Sequence, residues 1–414
     1  MKRAISIMVS AVLLAGSGLG VWPARAAAAT NRSPLIFINT SMENASPLSW
    51  AYAEDGTVIV SLVYDQERGS PNRAAGHWLF QVEAPQGSVV SLVLTNFDNV
   101  WNGRFGSPIS TQSHCYVSAD SRHWNIQPAE KRSNNTLRLN LKMDQDHLLV
   151  ARLEPYRLSD LERFKSELRG HSSARIEVIG KTVEGRDLEI IRLGEKAAPH
   201  RVFLRARAHA WEPVGNWVVQ GLARRLLQDD AWAKSCRQHF CVYVLPMANK
   251  DSVARGRTRF NSAGMDLNRL WDKPADPQLA PENAALEQWL NKLIHAGQKP
   301  DLALDLHNDN NGQLHISRPD PTPESYLANM RRLEALLRQH TFFTVGSTAP
   351  STRNPGTIGE GLLERYGIDA AVLEFNCDWI AKLAKPPTGR HWEEFGENLL
   401  HVFDDYFATA TKSH

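Results

Sequence analysis

Residues 202–212 read Val202-Phe203-Leu204-Arg205-Ala206-Arg207-Ala208-His209-Ala210-Trp211-Glu212, and Pro213 follows at once. Val202–Ala206 is a short β-type run. Pro213 then opens a helical pattern reaching Asp229, in which Val214, Trp217, Val218, Leu222 and Leu226 share one face. A strand that feeds a helix in this way is one unit of an α/β fold, and the unit recurs downstream. Strands are expected at His239–Leu245, Leu302–Leu306 and Ala370–Phe375. Helices are expected at Pro281–Ile294, Glu324–His340 and Thr357–Tyr366. Trp392, Phe395, Leu399, Phe403 and Tyr406 line a final helix. A hairpin of Arg175–Ile179 and Leu188–Leu193 turns at Glu184-Gly185-Arg186. This alternation predicts an α/β domain over residues 156–410, a mixed sheet with helices on both faces. Ligands in such folds gather beyond the carboxyl ends of strands, which is where His209 and Glu212 stand.

Upstream the character changes. Val58, Val60, Leu62 and Tyr64 alternate with other side chains. Trp78–Val82, Val89–Thr95, Cys115–Ser118, Leu137–Leu141 and Leu148–Leu153 are short β-type runs separated by turn clusters such as Ser133-Asn134-Asn135. An all-β sandwich over residues 34–155 is the expectation. Before it, Met1-Lys2-Arg3, an apolar run to Ala15 and Ala24-Arg25-Ala26 read as a cleaved export signal over residues 1–26. The apolar run is short for a membrane span, so the mature chain is expected outside the cytoplasm, periplasmic or extracellular, with no stable span.

The 414 residues carry 47 Lys and Arg against 45 Asp and Glu. Removing the basic leader leaves a nearly neutral chain, with no general electrostatic reason to bind nucleic acid or an anionic membrane. The 42% hydrophobic content is that of a globular protein. The four cysteines, Cys115, Cys236, Cys241 and Cys377, permit three complete pairings. Cys236 and Cys241 could close a small loop, and free buried thiols are the other reading. No Cys-x-x-Cys occurs, so thiolate zinc sites lack support.

Polar chemistry sits at strand ends. His209 and Glu212 are ordinary zinc ligands, and their spacing lets both face one ion. His391 and Glu394 repeat the spacing inside the last helix, where a solvated face is expected. His307 ends the apolar run Asp301–Leu306 and is a candidate third ligand, with His315 a nearby competitor; His200 and His239 read as surface or core histidines. Arg259 precedes Asp266-Leu267-Asn268-Arg269, and an Arg fork beside an Asn amide suits bidentate capture of a carboxylate. Glu374 leaves the run Ala370–Leu373, where burial raises a carboxyl pKa and suits a general base.

Taken in order, His-x-x-Glu, Arg, Asp-Leu-Asn-Arg, Asp-x-His and Leu-Glu after an apolar strand resemble the M14 metallocarboxypeptidases. The nearer likeness is to the cytosolic-carboxypeptidase-like branch, which carries a β-sandwich before its catalytic domain. Leu153–Leu161 resembles that branch's Pro-Tyr-x-x-Ser-Asp-Leu junction, and Gly180–Leu188 its Gly-x-Ser-x-x-Gly-Arg-x-Leu hairpin. The resemblance implies one zinc on His209, Glu212 and His307, with Asp266 orienting His209. It implies that Arg259 polarises the scissile carbonyl, that Asn268 and Arg269 grip the terminal α-carboxylate, and that Glu374 is the base for a zinc-activated water. The expected substrate is the C-terminus of a peptide or protein. Two departures bear on preference: Ala210-Trp211 replaces Pro-Gly between the first two ligands, and Asn308-Asp309-Asn310 follows the third. Tyr366 lies near Glu374 but in a helical pattern, so no mobile substrate-contacting tyrosine is assigned.

Two other classes compete. N-acyl amino acid deacylases of the aspartoacylase and desuccinylase type share His-x-x-Glu and Asp-Leu-Asn-Arg, but generally add a domain after the catalytic one. A glycan- or peptide-binding protein with an inert α/β part would be expected to lose a ligand or the base, and none is missing here.

Overall fold

The computed structural model describes residues 32–317, 323–349 and 356–408; the leader expected over residues 1–26 lies outside them. Among the described residues no helix is long and apolar enough to cross a membrane.

Two five-stranded sheets build the N-terminal region. Val58–Leu62 buries every second side chain, and Leu137–Lys142 pairs antiparallel with Val89–Thr95 and does the same on its inner face. Trp78, Phe80, Val82, Val90, Leu92, Leu94, Leu137, Leu139 and Leu141 fill the space between the sheets. A small third sheet joins Asp65–Gln66, Arg73–Ala74, Asn99–Trp101 and Arg104–Gly106. The sequence reading missed these short strands, because two or three residues carry no periodicity.

A seven-stranded mixed sheet follows, in the order Ala174–Lys181, Asp187–Leu193, Phe240–Leu245, His200–Ala206, Leu302–Asp309, Asp369–Asn376, Gln313–Ile316. The contacts among the strands at 240–245, 200–206, 302–309 and 369–376 are parallel. The two on the 174–181 side and the one at the other edge are antiparallel. The central strands read as apolar runs because helices cover both faces. On one face Val218, Leu222, Phe395, Leu399 and Phe403 join the main core; on the other Trp289, Leu290, Ile358 and Leu362 pack under Phe203 and Ala303. Val214–Leu226 and Gly389–Ala408 cross at van der Waals distance. A Cβ on Gly221 would lie 2.0 Å from the Glu393 carbonyl oxygen, and one on Gly396 1.9 Å from that of Val218.

Several expected bounds change. The helix after Glu212 starts at Val214, with Pro213 as its N-cap, and ends at Leu226 rather than Asp229. The strand expected to stop at Leu306 runs to Asp309, and His307 and Asn308 pair within it against Glu374 and Phe375. Backbone partners on the neighbouring strand, not side-chain polarity, set where that ladder ends. Ala231–His239 is a helix, capped by the Asp230 carboxylate on the Ala233 N–H (2.9 Å). Cys236 therefore stands on a helix and Cys241 in a strand, with no small closed loop, and all four cysteines are free and buried.

Candidate active site

Three elements converge at one end of the parallel strands. The turn after His200–Ala206 carries His209 and Glu212, and the strands Leu302–Asp309 and Asp369–Asn376 carry His307 and Glu374. One ligand atom from each of His209, Glu212 and His307 lies within 4.8 Å of the other two, and all three residues are buried. His209 Nδ1 is 2.8 Å from Glu212 Oε1, His307 Nδ1 is 2.7 Å from Glu212 Oε2, and the two Nδ1 atoms face each other at 3.1 Å. Two imidazole nitrogens and a carboxylate turned toward one point form a zinc-type donor set. The electrostatics favour a cation there. Burial opposes it, yet Asp305 and Glu212 hold His307 well above the usual imidazole range. Against the same opposing burial, His209 and His307 pull Glu212 down to about 2. The donors fit a divalent metal.

Each histidine is fixed from behind. His209 Nε2 lies 3.1 Å from Asp266 Oδ1. His307 Nε2 lies 2.6 Å from Asp305 Oδ2, and Asp305 in turn accepts from Arg205 Nε and Nη2 at 2.7 and 2.5 Å. Residues two apart on a strand share a face, so Asp305 stands beside His307 by strand geometry. The Arg205 partner was missed, since nothing in an apolar strand marks one arginine as facing the neighbouring strand's carboxylate. Glu374 sits across the ladder from His307. Its Oε2 is shut from solvent without a hydrogen-bond partner. Burial pushes its carboxyl well above the ordinary range, Glu212 and Asp309 add to this, and His307 opposes it.

Arg259 Nε and Nη2 reach Asp266 Oδ2 at 2.9 and 2.8 Å. Asn268 is buried; its Oδ1 accepts from the Ile358 N–H at 3.0 Å, and its Nδ2 stands 3.4 Å from His307 Nε2. Its carbonyl is thus already engaged by backbone, which leaves the amide nitrogen as the side facing the histidine. Arg269 Nη1 donates to the Asn268 carbonyl at 2.7 Å. Among the described residues no carboxylate oxygen comes within 4.0 Å of Arg269. Asp266 is the carboxylate paired with Arg259, and it acts on Arg269 only at longer range, together with Glu67 and Glu374.

The other candidates fall elsewhere. His391 Nδ1 accepts from the Thr388 N–H at 3.0 Å and helps start the last helix. His315 lies on the edge strand, and His200 stacks on Phe407. Tyr366 ends the helix Ile358–Tyr366.

Residues 162–340 match the family model of zinc carboxypeptidases, Peptidase M14. Residues of this chain are 25% identical over 232 positions to an uncharacterised protein of Zymomonas mobilis, covering 56% of this chain and 57% of that one. Over 106 residues they are 34% identical to human cytosolic carboxypeptidase 1, which is 26% of this chain and 9% of the relative. The chain therefore spans little more than half of the first relative's length and a small part of the second's. Among solved structures, a metallo-carboxypeptidase from Burkholderia cenocepacia superposes with a TM-score of 0.75 at 19% identity, over 90% of this chain and 99% of that one. One from Pseudomonas aeruginosa does so at 0.77 and 19%, over 89% and 98%. These likenesses extend across the β-rich region as well as the mixed sheet.

Proposed function

We propose, from the premise that residues 162–340 belong to the M14 zinc carboxypeptidase family, that this chain is a metallocarboxypeptidase removing the C-terminal residue of peptides. His209, Glu212 and His307 would hold one zinc, which supplies Lewis-acid polarisation of the scissile carbonyl and of a water. Glu374 takes a proton from the attacking water and returns it to the amine nitrogen as the C–N bond breaks. Its place beside His307 and its unpartnered Oε2 suit that role. Arg259, anchored on Asp266, offers its remaining N–H groups to the charge that develops on the carbonyl oxygen. Arg269 and the Asn268 amide receive the α-carboxylate. Export to the periplasm or medium is proposed on the composition of residues 1–26.

The observation that carries this reading is Arg269, without a carboxylate in ion-pair contact among the described residues, next to Asn268, whose amide faces His307 of the three convergent donors. Water activation alone treats internal and terminal peptide bonds alike, whereas a guanidinium with no carboxylate partner in a half-buried cleft selects a carboxylate. Losing such a contact costs ~2–5 kcal/mol, so Arg269→Ala is expected to cut kcat/KM for free-acid peptides ~30-fold or more, at ~1.4 kcal/mol per decade. The test compares acid and amide forms of one peptide on both proteins. If both forms suffer equally, or the parent cleaves the amide as readily, the carboxypeptidase reading fails. Turnover of N-acetyl or N-succinyl amino acids in place of peptides would support the deacylase instead.

A further inference from the structure

The small sheet of the N-terminal region reaches the candidate active site. Asn99–Trp101 and Arg104–Gly106 form a hairpin whose two turn residues, Asn102 and Gly103, have φ of +50° and +72°. That left-handed pair is the ordinary solution for a two-residue hairpin loop. The hairpin is braced from its own region: Asn102 N–H donates to Asn72 Oδ1 at 2.8 Å, and Asn99 Oδ1 accepts from Ala75 N–H at 2.7 Å. The same sheet grips the loop that carries Arg259. Asp65 Oδ2 accepts from the N–H groups of Arg259 (2.7 Å) and Phe260 (2.8 Å), and Arg68 N–H donates to the Gly264 carbonyl at 2.8 Å.

Trp101 ends the first strand of the hairpin. Its ring centroid lies 4.4 Å from the Arg259 guanidinium carbon and 5.0 Å from that of Arg269, and its indole stacks on Phe260 at 6.5 Å and 18°. One indole thus serves two cations that repel each other. Arg259 is also held by Asp266, but the side chain of Arg269 has otherwise, among the described residues, a single hydrogen bond, to a backbone carbonyl. The π-face attracts both groups and leaves for a ligand the N–H groups that Asp266 and the Asn268 carbonyl do not occupy.

We infer that Trp101 of the N-terminal region is a positioning residue for the substrate's α-carboxylate, keeping Arg269 beside Arg259 and presenting its edge. The inference rests on the carboxypeptidase reading and deepens it: the sandwich region supplies part of the C-terminal recognition site. Without the ring, Arg269 is free to swing into water while Arg259 stays on Asp266. Carboxylate affinity then falls while the chemical step keeps its groups.

The experiment uses the full-length, zinc-loaded chain with Trp101→Phe, which keeps an aromatic face, and Trp101→Leu, which keeps apolar bulk without one. KM and kcat are measured for a peptide and its C-terminal amide, and binding of 3-phenylpropionate and 3-phenylpropionamide is followed by calorimetry. Trp101→Leu is expected to raise KM for the acid and weaken 3-phenylpropionate about three- to thirtyfold, the range of a cation–π contact. kcat and amide values should stay close to the parent's, and Trp101→Phe should recover most of the loss. Equal behaviour of Leu and Phe variants, or unchanged carboxylate binding in Trp101→Leu, would overturn the role of Trp101 while leaving the carboxypeptidase reading intact. Absence of any acid preference in the parent would instead remove the reading on which the inference rests.

Discussion

Glu374 and His307 sit opposite one another on neighbouring strands, yet they are expected to fail differently when changed. Glu374→Gln preserves size and hydrogen-bonding capacity but cannot accept a proton. Zinc content should stay at the parent's level while kcat falls roughly two to four orders of magnitude, the scale of general acid–base work. His307→Ala removes a proposed ligand and should lose both zinc and activity; metal analysis beside kinetics separates the two. A Glu374→Gln protein within a few-fold of the parent would show that another group is the base. The contrast follows from what surrounds each side chain. His307 is wedged between Asp305 and Glu212, with a nitrogen for each. Glu374 has a buried oxygen with no partner, an arrangement that is costly in a folded protein unless the atom has a use.

The helices Val214–Leu226 and Gly389–Ala408 pack backbone against backbone at Gly221 and Gly396. This packing fixes the helix that starts just after Glu212, and so the turn that carries two of the candidate ligands. Gly396→Ala would push a methyl group against the Val218 carbonyl at 1.9 Å, and backbone cannot yield as a flexible side chain does. Overpacking of this kind costs about 1–3 kcal/mol, to be read as a lower midpoint in urea unfolding. An unchanged midpoint would mean that the helices slide apart without loss. The amphipathic pattern marked both helices in the sequence, but not that they touch. Glycine in a helix interior is ordinarily a weakness, and only the crossing shows why Gly221 and Gly396 stand where they do.

At the scale of the whole molecule, the two regions are sewn together through buried polar groups. Arg152 pairs with Asp378 at 2.8 Å, Asn44 Nδ2 donates to the Val253 carbonyl at 2.7 Å, and the Tyr116 hydroxyl donates to the Pro387 carbonyl. Half-buried His77 belongs to this seam, its Nε2 3.0 Å from the Asn44 carbonyl oxygen. Burial, with Arg207 adding, pulls its pKa down to about 4 although the Asn44 bond opposes the shift. A free imidazole titrates near 6.5, so between these values the unfolded chain binds a proton that the folded chain refuses. Stability is therefore complete above about pH 6.5 and falls as the pH drops towards 4. His77→Gln retains a donor for Asn44 and should flatten that slope in denaturation midpoints taken from pH 7 to 5; an identical slope would mean that His77 titrates normally in the folded state. From the sequence alone came the alternating strands and helices, the β-rich first region, and the residue types of the site in their order along the chain. Periodicity, turn residues and short motifs are local, and a single sequence carries them in full. What the tertiary structure decided is non-local: that His307 lies inside a ladder opposite Glu374, that Arg205 steadies Asp305, and that Cys236 and Cys241 remain unpaired. It also brought Trp101 over two arginines more than 150 residues further along the chain. Such contacts depend on which strands become neighbours and how closely two sheets approach, and packing sets both after the local elements have formed.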